Sequence, residues 1–250
     1  MSVLSETRES LLRVCREEDV DLSSPVRVRC LPPEEAIGTK ASGEFAIRRG
    51  REVVIEATLD SARGQAFTDR PSDWSGTLGD VFSMPLDNSR RRAVVVAALN
   101  ALAAKLGLAS HTIHCRDQDP MRCGRELVAE LKRRFPDVVK VLLVGLQPGI
   151  LEALVDEFGT RGVRVVDLDS ENIHQVKKGV HIGDGSADIS GDIRWCDLML
   201  VTGSSVVNGT LDGLLRQSQD ASRPLVFFGN TIAAVAAIAD LERLCPFGRD

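Results

Sequence analysis

The chain has 250 residues, 43% of them hydrophobic, enough for one large domain or two modest ones around a real core. A formal charge of −5, scattered Lys and Arg, and 4% aromatics with no Tyr exclude the basic, base-stacking footprint of a nucleic-acid binder. Met1-Ser2-Val3 leads straight into charged sequence, and no apolar run approaches the ~18 residues of a membrane span, so a cytoplasmic protein with no membrane partner is expected.

In chain order, SETRESLLRVCREED (5–19) reads as an amphipathic helix with Leu11, Leu12 and Cys15 on its apolar face and Ser5 as its cap, Glu9 close behind. VRVRC (26–30), FAI (45–47) and EVVIEATL (52–59) are alternating or β-branched runs punctuated by Gly43, Gly50 and Gly64, the pattern of a small, mostly antiparallel sheet. Residues 68–85 show no period and read as a long loop, mobile or functional, such as a lid. Ser89 to Gly107 reads as a helix apolar nearly all round, with Arg90, Arg91 and Arg92 as its solvated start and Gly107 as its stop. It belongs at the junction of two halves, where Asn100 would need a hydrogen-bond partner.

From residue 122 the grammar changes. Helix (122–135), strand (138–145), helix (148–159) and strand (162–169) follow one another, then a polar interval (179–192), the strand before Thr202, and PLVFFG (224–229) with a helix from Thr231. Alternating apolar strands and helices predict βαβ units. The fold class expected is α/β: a C-terminal Rossmann-like parallel sheet (118–250) after a smaller N-terminal α+β domain (1–117).

Three strand ends carry small and polar residues: Gly145, Gln147 and Gly149; Thr202, Gly203, Ser204 and Ser205, continuing to Asn208, Gly209 and Thr210; and Gly229, Asn230 and Thr231. A parallel sheet gathers all its carboxyl-end loops on one edge, where ligands bind, and helix N-termini there suit an anion; tight turns are the plain alternative for each glycine. The first loop is GLQPG rather than GxGxxG, and Pro148 removes one donor, which disfavours NAD. Asp167 and Asp169 stand where a ribose-binding acid is expected, so a nucleotide or adenosyl ligand remains open.

The second constellation is HTIHCRDQDPMRC (111–123). Six cysteines are too few for a disulfide scaffold, and imidazole with thiolate suits a transition metal or an iron–sulfur cluster. His114, Cys115 and Cys123 are the candidate ligands, with Cys245 joining them by folding back or from a second subunit of a homodimer. The spacing matches no closed zinc pattern, and buried thiols are the alternative. His174 and His181, near Asp184, Asp188 and Asp192, read as a surface loop, and no catalytic group is assigned.

Taken together, CDLMLVTGSSVVNGTLDGLL, IHCRDQDPMRC, VGLQPGILEAL, VVDLD, FFGNTIAAVAAI and RLCPFGRD resemble the putative heavy-metal-chelation family of prokaryotic proteins. The resemblance implies an N-terminal domain of the enolase N-terminal kind, a Rossmann-like C-terminal domain, and a ligand or metal site in the cleft between them. The leading expectation is thus a metal-handling protein, binding a metal or metal chelate. The rivals are an enzyme using an adenosyl or nucleotide ligand, and a small-molecule-binding protein without turnover.

Overall fold

The computed structural model describes residues 1–39, 47 and 52–250, and the change of hydrophobic period at mid-chain becomes two sheets sharing a core around one buried helix. Helix α1 (Val3–Glu17) is capped by Ser2, whose hydroxyl accepts from the Ser5 N–H, rather than by Ser5. The extra turn adds Leu4 to the apolar face of Leu11 and Cys15, so the helix starts earlier than its charged residues suggest. Next come β1 (Pro25–Leu31), α2 (Pro33–Ile37), β2 (Val53–Leu59) and β3 (Ala62–Thr68). The strand expected at FAI (45–47) lies outside the described residues, Ile47 excepted.

Residues 68–85 are not one loop. They form an edge strand β4 (Trp74–Thr77) paired with β1, then α3 (Leu78–Ser83), opened by a capping box between Thr77 and Asp80. Four strand residues and six helical ones are too few to establish a period, which is why the pattern looked irregular. The first sheet runs β3-β2-β1-β4, all antiparallel.

Helix α4 (Ser89–Lys105) is the long apolar segment, and every residue from Ala93 to Ala103 is buried. The first sheet lies directly on it: a Cβ at Gly64 would sit 2.2 Å from the Ala101 nitrogen, so glycine is what permits the approach. Asn100, with 0% exposure, finds the partners that burial demands. Its Nδ2 donates to the Gln65 and Thr231 carbonyls, both at 2.9 Å, and its Oδ1 accepts from the Ala234 N–H at 2.8 Å. One side chain therefore ties the first sheet to the far end of the chain.

After α4 come α5 (Asp119–Arg134), β5 (Val141–Val144), α6 (Pro148–Phe158), β6 (Val163–Asp167), β7 (Val176–Lys177), β8 (Val180–Asp184), α7 (Ser190–Trp195) and β9 (Leu198–Thr202). Then follow α8 (Ser205–Asn208), α9 (Leu211–Asp220), β10 (Leu225–Phe228), α10 (Ala233–Ile238) and β11 (Arg243–Leu244). The second sheet runs β11-β10-β9-β5-β6-β8-β7. All neighbours are parallel except the β7–β8 hairpin. Numbered by chain position from β8, the parallel strands read 3-2-1-4-5-6, the order of a doubly wound sheet whose direction of winding reverses between β5 and β9. The polar interval 179–192 thus holds a strand and part of a helix: Val180 and Ile182 are buried while His181 between them is exposed, and five residues among Gly and Asp were too short a run to stand out. Among the described residues no helix is long and apolar enough to cross a membrane.

Asn100→Ala is expected to destabilise the fold by about 2–4 kcal/mol, because it strands a buried N–H and buried carbonyls at once. Asn88→Ala, which removes an exposed helix cap on the same helix, should cost about 1 kcal/mol. Urea unfolding of both variants checks the contrast.

Candidate functional site

The reversal between β5 and β9 leaves a cavity of about 430 Å³ beyond the strand ends. All three expected loops reach it: Gly145 and Gln147 from the first, Thr202 to Ser205 with Asn208 and Thr210 from the second, Gly229 to Thr231 from the third. Asp167, the last residue of β6, and Asp169, two residues beyond it, also line it. Gly149 and Gly209 do not, and both have structural work. Gly149 lets α6 meet α5, since a Cβ there would lie 2.8 Å from the Pro120 carbonyl oxygen. Gly209 ends α8 in the left-handed region, φ +80°, against the Arg92 guanidinium.

Several N–H groups of the anion cradle that the sequence suggested are already engaged within the protein. Asp167 Oδ2 already accepts from the Leu146 N–H at 2.6 Å, and its Oδ1 from the Asp169 N–H at 2.6 Å. Gln147 caps the Ile150 N–H, the Ser204 N–H turns to Thr202 Oγ1, and the Gly145 and Gly203 N–H groups are spent on sheet carbonyls. The small-residue loop after Thr202 contains a single helical turn, α8, before α9 starts at Leu211, and Thr210 caps α9 without a side-chain hydrogen bond. Among the described residues the cavity wall carries the carboxylates of Glu52, Asp69, Asp167 and Asp169 and no Lys or Arg.

What the loops offer instead are acceptors. Asn230 is 1% exposed, and its Nδ2 donates to the Thr112 carbonyl at 3.2 Å, which fixes the amide and leaves Oδ1 buried without a partner. Ser205, 2% exposed, has a buried hydroxyl that is likewise unpartnered. Each such group costs about 1–3 kcal/mol unless a water or ligand completes it.

At another part of the wall stand His114, Cys115, Cys123 and Cys245. Cys245 folds back within the same chain: Ile113 and Arg249 form an antiparallel bridge, and the largely buried Arg243 guanidinium donates to the carbonyls of Ser110, His111 and Gly229. Cys123 sits on α5, one turn into the helix, and Cys115 on the strand-like segment leading to it. The Cys115 and Cys123 thiols are close enough to act on one another: with Cys123 beside it, and with burial adding to the effect, the Cys115 pKa is raised, while Cys115 lowers that of Cys123. The Phe247 N–H also favours the Cys123 thiolate. Burial pushes Cys245 up to about 11, against the pull of Arg243. Burial likewise takes His114 down to about 4, so its imidazole is neutral; with Nδ1 bonded to the Cys115 carbonyl, Nε2 keeps its lone pair. Even so, no group of three or more His, Cys, Asp or Glu side chains among the described residues is disposed to hold a metal ion. The donors are of the right softness for a thiophilic metal, but they do not close a cage.

Sequence reasoning missed the contribution of the first sheet: Phe67 and Asp69 from β3 and its continuation, with Ile37 and Ile47, complete the wall. Phe67 packs edge-on to the His114 ring at 5.0 Å. Only the outward alternation of β3 could have pointed to Phe67, and it gave no reason to place that face on a cavity.

Comparison with known proteins adds the following. No curated protein matches the chain. A solved structure from Pyrococcus horikoshii, a DUF364 protein of unknown function, is similar over 92% of this chain and 79% of its own, with 15% identity and a TM-score of 0.54, which bears on the fold alone. A second DUF364 protein of unknown function, from Desulfitobacterium hafniense, covers 75% of this chain and 72% of its own at 16% identity and a TM-score of 0.47. The family model leaves out all four candidate metal ligands, which lie before or after the matched stretch, and takes in the three strand-end loops. The resemblance read from the motifs is borne out in this form: residues 128–241 match DUF364, the family described as putative heavy-metal chelation.

Proposed function

We propose that the protein binds a thiophilic metal as a complex with a small organic ligand, the metal beside Cys115 and Cys123 and the ligand along the strand-end loops. One observation carries the reading: two thiols near enough to shift each other's titration line the same cavity as Ser205 and Asn230, whose buried oxygens lack partners among the described residues. Two sulfurs form an open seat rather than a closed cage, so the remaining coordination comes from the incoming ligand. On this reading residues 1–117 and 118–250 act as two domains, the first supplying His114 and Cys115 and the second Cys123 and Cys245. The family description, putative heavy-metal chelation, supports metal chemistry in general and is silent on these side chains.

A second reading, an adenosyl ligand without phosphate, is favoured by the strand order and by Asp167 standing at the carboxyl end of β6. A nucleotide fits less well, since the described wall carries four carboxylates and no Lys or Arg to meet its phosphates.

Cadmium titration of the reduced protein is expected to develop the thiolate-to-metal charge-transfer band. Cys115→Ser with Cys123→Ser should abolish it, and Cys30→Ser, on β1 away from the cavity, should leave it intact. An unchanged band in the double variant contradicts the assignment. In metal-free protein at about pH 8, iodoacetamide should modify Cys123 before Cys115 and Cys245, because only the Cys123 thiol is held below its ordinary value of 9.0. The preference should narrow as pH climbs toward the value of about 11 at Cys245. Peptide mapping that finds equal labelling at the lower pH contradicts the thiol arrangement.

A further inference from the structure

On the face of the first sheet turned away from α4 lies a second cavity, of about 480 Å³, with four arginines in its wall: Arg29, Arg63, Arg116 and Arg249. The cross-strand row Arg29, Glu56 and Gln65 forms its floor. Glu56 is 4% exposed and already well supplied, taking Gln65 Nε2 at 2.8 Å and Arg29 at 3.2 Å, while Arg29 also pairs with Glu35 at 2.7 Å. Those charges satisfy one another.

The other three guanidinium groups are not so engaged. Arg63 reaches Glu56 only at 4.0 Å. Arg116 spends one nitrogen on the Glu34 carbonyl at 2.9 Å, but its Nε is buried with no partner among the described residues. Arg249 is held by its main chain against Ile113, and its side chain makes no hydrogen bond or ion pair with a described residue. Asp250, the remaining carboxylate in the wall, accepts from the His111 N–H. Guanidinium is a rigid fork of donors matched to the paired oxygens of phosphate and carboxylate, and a buried unsatisfied donor is costly.

We infer that this cavity is a second binding site, for a small molecule carrying phosphate or carboxylate groups, which Arg63, Arg116 and Arg249 engage together. It differs in chemistry from the thiol-bearing cavity, whose described wall has no arginine or lysine. The two are neighbours through the segment 113–116, where Ile113 and Arg116 line one cavity and His114 and Cys115 the other. Gln65 links them further, its Nε2 on Glu56 and its Oε1 accepting from the His114 N–H.

Isothermal titration of the full chain with inorganic phosphate and, separately, with citrate tests the inference and tells phosphate from carboxylate recognition. At least one anion should bind, and Arg116→Ala and Arg249→Ala should each weaken it by roughly tenfold or more, the loss of a hydrogen bond between charged groups. Arg70→Ala, an exposed arginine outside the cavity wall, should bind as the parent does. The cadmium band of Arg249→Ala should be unchanged, which separates this site from the thiol site. Absence of binding by both anions, parental affinity in both wall variants, or an equal loss in Arg70→Ala would overturn the inference. Should Arg116→Ala fail to fold, Arg249→Ala, whose residue is exposed, decides alone.

Discussion

The amide of Asn100 is the constraint on which the rest of the arrangement depends. A polar side chain at 0% exposure in an otherwise apolar helix is tolerable only with every hydrogen bond made, and its partners come from two distant parts of the chain. The Gln65 carbonyl belongs to the first sheet; Thr231 and Ala234 belong to the loop and helix after β10. Because all three are backbone groups, they cannot move away without moving their elements. The first sheet is thereby held in one position relative to the carboxyl-end loops of the second.

That fixed relation makes the cavity. Gly229, Asn230 and Thr231 sit in the wall because Asn100 holds their neighbours, and Phe67 sits opposite because its strand is clamped at Gln65, with its own N–H given to Thr231 Oγ1 at 3.1 Å. Arg243 does the corresponding work for the end of the chain. Its guanidinium collects three carbonyls and makes no ion pair with a described residue, and it brings Cys245 to the wall already occupied by Cys115 and Cys123. Cys245 therefore joins the thiols of the 115–123 segment through backbone carbonyls held by the Arg243 side chain, not through any local sequence motif.

This explains how much was legible in the sequence. The buried helix from Ser89, the capped α6 with Pro148 and Gly159, and the strands ending at Val144, Thr202 and Phe228 all carry enough periodic residues to read directly. The gathering of strand-end loops follows from parallel topology alone, and the structure bears it out. The short elements β4, α3 and β8 were hidden because four to six residues hold barely one period. The partial filling of the anion cradle has a different reason: glycines and hydroxyls indicate close turns, but sequence does not say that Asp167, Gln147 and Thr202 fold back on the Leu146, Ile150 and Ser204 N–H groups. The first sheet's share of the wall depends on tertiary contacts of Asn100 and Gln65, which no local pattern encodes.

The central claim is that a metal enters beside Cys115 and Cys123 inside the loop-lined cavity. Crystals soaked in cadmium, measured for anomalous scattering, test it most directly. The account predicts a strong anomalous peak within bonding distance of both sulfurs and facing the cavity. Peaks confined to surface carboxylates, with none beside the Cys115 and Cys123 sulfurs, would contradict it.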